Sequence, residues 1–183
     1  MGRMSSWAKE LGWLQTERIR FFGPRTQCDE FAGVTGGYWF VVRDSGRVVI
    51  ITVFISGEQL SRFEEIKPQL NQHRNLLKFS GISQGDLGVS FTFLGFLLNF
   101  YVNQEKVKSA VEKIPGILRD MGIAPNLSCS GCGTAGRLEC YKVGTYGARL
   151  LCPECLDKLK KFIGGGLHGY KPGMSIVKGY TPK

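Results

Sequence analysis

Tyr38-Trp39-Phe40-Val41-Val42-Arg43-Asp44-Ser45-Gly46-Arg47-Val48-Val49-Ile50-Ile51-Thr52-Val53-Phe54-Ile55 is the stretch that decides the fold. Two runs rich in β-branched and aromatic residues, Tyr38 to Val42 and Arg47 to Ile55, flank the turn residues Asp44, Ser45 and Gly46. Such residues suit a pleated, half-buried surface, and Asp, Ser and Gly suit a tight reversal, so the stretch predicts an antiparallel hairpin.

On the N-terminal side, Ser5 or Ser6 can cap a short helix to about Thr16, with Trp7, Leu11 and Leu14 on one face. Arg18 to Phe22 reads as a strand ended by Gly23 and Pro24, and the mixed, glycine-bearing residues from Pro24 to Gly37 read as a loop. On the C-terminal side, Gly57 to Phe79 has the helical apolar spacing of Leu60, Phe63, Ile66, Leu70 and Leu77, with Pro68 expected to kink or split it. Val89, Phe91 and Phe93 alternate with Ser90 and Thr92. Leu94 and Gly95 permit a turn, after which Phe96 to Val102 can return as a partner strand. Asn103 is placed to cap a last helix through Met121, carrying Val107, Val111, Ile114 and Leu118, bent at Pro115 and stopped by Gly122.

The order helix, three strands, helix, two strands, helix makes an α+β fold, an antiparallel sheet packed by helices. By that element order, residues 5–122 resemble the type III secretion chaperone-like fold. The resemblance implies a small non-enzymatic protein that dimerises or holds a partner segment. The aromatics Tyr38, Trp39, Phe40, Phe54, Phe91, Phe93, Phe96, Phe100 and Tyr101 read as core, because a base-stacking platform would interleave Arg and Lys, and these strands carry little charge beyond Arg43 and Arg47. A sheet face left uncovered by helices would instead serve as a dimer or partner surface.

Of the 183 residues, 43% are hydrophobic and 21% charged, which excludes global disorder. The first 20 residues include Lys9, Glu10, Glu17, Arg18 and Arg20 and lack the apolar run of an export signal, so a cytoplasmic location is expected. The uncharged stretch Leu87 to Gln104 is interrupted by Gly88, Ser90, Thr92, Gly95 and Asn99 and reads as buried sheet, with no membrane span expected.

Six cysteines occur, and four form two pairs, Cys129 with Cys132 and Cys152 with Cys155, separated by nineteen residues. Each C-x2-C loop lets two sulfurs converge on one tetrahedral ion at about 2.3 Å, the spacing of a zinc site. Gly131 and Gly133 allow the tight turn by which amide N–H groups stabilise thiolate. Arg137 to Val143 and Ala148 to Leu151 can pair across Gly144 to Gly147, and a helix from Leu156 to Phe162, opened by Pro153, ends at Gly164-Gly165-Gly166. Knuckle, hairpin and ligand-bearing helix together resemble a treble-clef zinc finger over residues 127–163. The resemblance makes these four cysteines the ligands of one structural Zn²⁺ per chain. Two disulfides or an iron-sulfur centre are the competing uses of the set. Cys28 and Cys140 read as small buried hydrophobes, and His73 and His168 as surface residues.

The formal charge is +9, and residues 124–183 carry 9 basic against 3 acidic side chains, a net of +6. Four thiolates around one Zn²⁺ would lower that segment to about +4. Lys142, Arg149, Lys158, Lys160 and Lys161 form the candidate nucleic-acid contact. Glu64 and Glu65, adjacent on a helix, and the isolated Asp86 make no acid–base pair, and no small-molecule substrate site is legible.

The chain therefore divides, as an expectation, into an α+β interaction domain at 1–123, a zinc finger at 124–163 and a glycine-rich, basic, flexible tail at 164–183. The expected function is that of a non-enzymatic zinc-binding interaction protein, adaptor or chaperone-like, with a protein partner or homodimer. The alternative is a nucleic-acid-binding protein using the basic face of the finger.

Overall fold

Tyr38–Asp44 (β3) and Val48–Phe54 (β4) form the expected hairpin, in the register Val42 opposite Ile51. Gly46 takes φ +84° in the turn, where its N–H donates to Asp44 Oδ1 at 2.6 Å. The computed structural model describes residues 5–20, 27–85, 88–95, 101–143, 148–164 and 176–178.

Around this hairpin the sheet is wider than expected. It has six antiparallel strands in the order β1-β2-β3-β4-β6-β5, with β1 at Leu14–Arg20, β2 at Gln27–Thr35, β5 at Gly81–Gln84 and β6 at Gly88–Leu94. β2 lies where a loop was expected. Its Gln27, Asp29, Glu30 and Gly33 are poor strand formers by composition, yet Phe31 and Ala32 are fully buried on opposite faces, and tertiary partners accommodate the others. The first helix (α1, Ser5–Glu10) is correspondingly shorter, because Gly12 at φ +69° turns the chain and Leu14 enters β1. The strand expected at Arg18 to Phe22 is thus the end of β1, and its last two positions lie outside the described residues.

The central helix is broken into α2 (Gly57–Ser61), α3 (Phe63–Gln72) and α4 (Arg74–Leu77). The breaks fall at Arg62 and His73, and Pro68 sits inside α3. The second hairpin joins β5 to β6; the expected return strand does not form at Tyr101 and Val102, and its residues 96–100 lie outside the described residues. The last helix of this part, α5 (Gln104–Asp120), starts where its cap predicts: Asn103 Oδ1 accepts the Glu105 N–H at 2.9 Å.

The helices cover one sheet face. Phe40, Val42, Ile51, Val53, Phe91 and Phe93 meet Leu70, Val107, Val111, Ile114 and Leu118 in one core. On the other face, Ile50, Thr52, Ser90 and Thr92 on β4 and β6 stay half-buried and Leu94 is 53% exposed. That face is covered in part, over β1–β3: Ala32, Trp39 and Val41 lie in a second core with Leu138, Cys140, Tyr141, Leu150, Leu151 and Leu156. These last residues belong to β7 (Glu139–Val143), β8 (Ala148–Leu151), α6 (Pro153–Gly164) and the approach to them. The C-terminal unit is therefore packed on the sheet. Trp39, 2% exposed, is covered from within the chain.

A ninth strand, β9 (Ile176–Lys178), pairs with β7 on the side opposite β8, where the tail was expected to be flexible. Among the described residues, no helix is long and apolar enough to cross a membrane.

Candidate metal centre

The chain leaves α5 at Gly122 and is tied to the end of β4, where Ser56 N–H donates to Ala124 O at 3.0 Å and Asn126 N–H to Phe54 O at 3.1 Å. It then enters the first cysteine loop. Cys129 N–H donates to Thr134 O at 3.0 Å and Gly133 N–H to Cys129 O at 2.8 Å, closing a tight turn in which Gly133 adopts φ +75°. Ser130 N–H donates to Leu150 O at 2.7 Å, which fastens this turn to β8. A Cβ on Gly131 would lie 2.9 Å from Cys155 Sγ, so glycine is required for the second pair to approach.

The second pair is delivered by β8 and α6. Cys152 joins the two elements, Pro153 is the first helical residue, and Cys155 lies in the first turn. The result is that the Sγ atoms of Cys129, Cys132, Cys152 and Cys155 all lie within 4.8 Å of one another. Cys132 Sγ and Cys152 Sγ are 3.7 Å apart. A tetrahedral ion with bonds of about 2.3 Å to sulfur sets its ligands about 3.8 Å apart, so the set is arranged to hold a metal ion.

Main-chain donors prepare the sulfurs for charge. Cys129 Sγ accepts Gly131 N–H at 3.4 Å and Cys152 N–H at 3.3 Å. Burial opposes its ionisation, but the N–H groups of Cys152, Cys132 and Gly131 outweigh burial and hold its pKa below the ordinary thiol value. Thr134, through its side chain and then its backbone, holds Cys132 down to about 6. Cys155, crowded first by the sulfurs of Cys132 and Cys129 and then by burial, is pushed up to about 12. Like charges this close cannot all form unaided. Only a cation at the centre lets four thiolates coexist.

The remaining two thiols are buried. Cys28, on β2, and Cys140, on β7, are 4% and 0% exposed. Burial first, and the charge of Glu30 second, push both up to about 12, which makes them poor nucleophiles.

The candidate basic residues are only partly brought together. Lys158, Lys160 and Lys161 are exposed on α6, next to Phe162, which is 56% exposed. Arg149 is half-buried on β8, where its Nη1 donates to Ala148 O at 2.8 Å; desolvation lowers its pKa, against the attraction of Glu30. Lys142 lies on β7, and its side chain is outside the described residues.

Glu30 is the residue that sequence reading missed. It is fully buried on β2, directly opposite Arg43 on β3, and accepts Arg43 Nε at 2.9 Å and the main-chain N–H of Ala148. The one local signal was the alternation of Cys28, Glu30 and Ala32 on a single face, hidden among residues of loop composition. Comparison of the chain with protein-family models, with curated proteins and with solved structures finds no match.

Proposed function

We propose that this is a non-enzymatic interaction protein built around one structural Zn²⁺, held by Cys129, Cys132, Cys152 and Cys155. The convergence of four sulfurs within 4.8 Å, with amide N–H groups directed at Cys129, carries the reading. Zinc suits an all-thiolate tetrahedral set, and four protein ligands leave no position for water or substrate, so the ion's work is structural. The order of tight cysteine loop, β7–β8 hairpin and α6 supports a treble-clef finger over residues 127–163. Free thiolates suit a reducing compartment, in line with a cytoplasmic location.

The finger covers the β1–β3 part of the second sheet face, so the partner surface comprises the outer side of the finger together with the half-exposed β4–β6 part of that face. A second reading, nucleic-acid binding, is favoured by one observation: Lys158, Lys160 and Lys161 are exposed on one helix beside the exposed ring of Phe162. Native mass spectrometry of the purified protein at two salt concentrations tests both. One zinc per chain with a homodimer or protein complex is the expected result. Nucleic acid that co-purifies and is lost at high salt supports the second reading, and purified protein that takes up no zinc overturns the metal assignment.

A further inference from the structure

Away from the cysteines, a cleft of about 640 Å³ opens between the end of α4, the end of β6 and the start of α5. Its lining includes Leu94 and Tyr101, which are 53% and 54% exposed, the nearly buried Phe93, and the polar Ser80, Asn103 and Gln104. Large apolar side chains at the mouth of a cleft favour an occupant with an apolar body.

The charge of the cleft is one-sided. Lys78 and Lys106 both line it, from different elements, and no carboxylate lines it among the described residues. Neither ammonium has an ion-pair partner among the described residues. Lys106 also stands in the first turn of α5, where the helix dipole disfavours a cation, and Lys78 is held at φ +61°, a backbone conformation uncommon outside glycine. Two lysines without ion-pair partners among the described residues, lining one cleft with the exposed apolar side chains of Leu94 and Tyr101, suit an anion joined to an apolar body better than either a neutral molecule or a bare anion.

We propose that this cleft binds a small anionic amphiphile, with its carboxylate or phosphate held by Lys78 and Lys106 and its apolar part against Leu94 and Tyr101. The site is independent of the metal centre. Isothermal titration of the full zinc-loaded chain with octanoate, octan-1-ol and inorganic phosphate tests it. Octanoate is expected to saturate one site and to bind more tightly than either of the other two. Lys78→Asn, which tolerates the left-handed backbone, combined with Lys106→Gln should weaken octanoate on the order of tenfold, whereas Lys113→Gln on the far part of α5 should not. Competition by phosphate assigns the anionic end to the lysines. Absence of saturable octanoate binding, or binding that octan-1-ol matches and that survives removal of both lysines, overturns the proposal. Circular dichroism melts confirm that each variant is folded, since both substituted lysines are exposed.

Discussion

The carboxylate of Glu30 accepts the main-chain N–H of Ala148, a residue 118 positions further along the chain, and so joins the second strand of the large sheet to β8 of the cysteine-bearing unit. Its other oxygen accepts Arg43 Nε, so a fully buried carboxylate has a charged partner on one side and a peptide donor on the other. Buried charge is tolerated only when its lone pairs are satisfied in this way.

Glu30→Ala should therefore cost about 3 kcal/mol of stability, because it strands the Ala148 N–H and leaves the half-buried Arg43 unpaired. Glu30→Gln, which keeps an acceptor for Ala148, should cost less. Urea titrations of both, completed by Arg43→Met and the double variant, should give a coupling energy on the order of 1–3 kcal/mol; strict additivity would remove the ion pair from the account.

Two glycine substitutions should have opposite signs. A Cβ on Gly33 would fall 2.3 Å from Trp13 Cδ1, and Trp13 is itself stacked on Phe40 at 6.0 Å between ring centroids. Gly33→Ala must displace the indole and should cost about 1–3 kcal/mol. Gly116, inside α5, has nothing within 4 Å of its missing Cβ, and Gly116→Ala should stabilise the chain by about 0.5–1 kcal/mol through helix propensity. Thermal melts of the two variants decide the matter.

In metal-free protein, Cys132 should be the fastest cysteine to alkylate. Its pKa is lowered to about 6, so the thiolate predominates above that pH and disappears as the pH falls through it. Cys28 and Cys140, pushed up to about 12 and buried, should resist reagent at neutral pH. Peptide mapping after iodoacetamide treatment across pH 5–8 should show half-maximal labelling of Cys132 near pH 6. Zinc should suppress it, and acidification should reverse that protection by protonating the ligands.

Removing the metal should also register at the sheet. If the finger is held together by Zn²⁺, chelation loosens the cover over Ala32, Trp39 and Val41. Tryptophan emission should shift to the red, and a Trp39→Phe variant should lose most of that shift, because Trp7 and Trp13 lie in the core on the other face. An unchanged spectrum after complete metal removal would show that packing alone holds the finger in place.

The sequence by itself determined the features whose physics is local. The β3–β4 hairpin follows from two apolar runs around Asp44-Ser45-Gly46, and α5 begins at its Asn103 cap and ends before Gly122. Each C-x2-C pair was legible because two residues between partners leave the chain little choice but a tight loop, whereas β8 and α6 bring one pair to the other. What only the tertiary structure decided depends on neighbours distant in sequence. β2 is a strand because Arg43 and Ala148 satisfy Glu30 and because Gly33 leaves room for Trp13. β9 exists as a strand by pairing with β7. The cover over the β1–β3 part of the second sheet face has the same origin. Trp39 and Val41 are apolar whatever lies above them, and no local pattern records whether a partner molecule or the chain's own cysteine-bearing unit removes them from water.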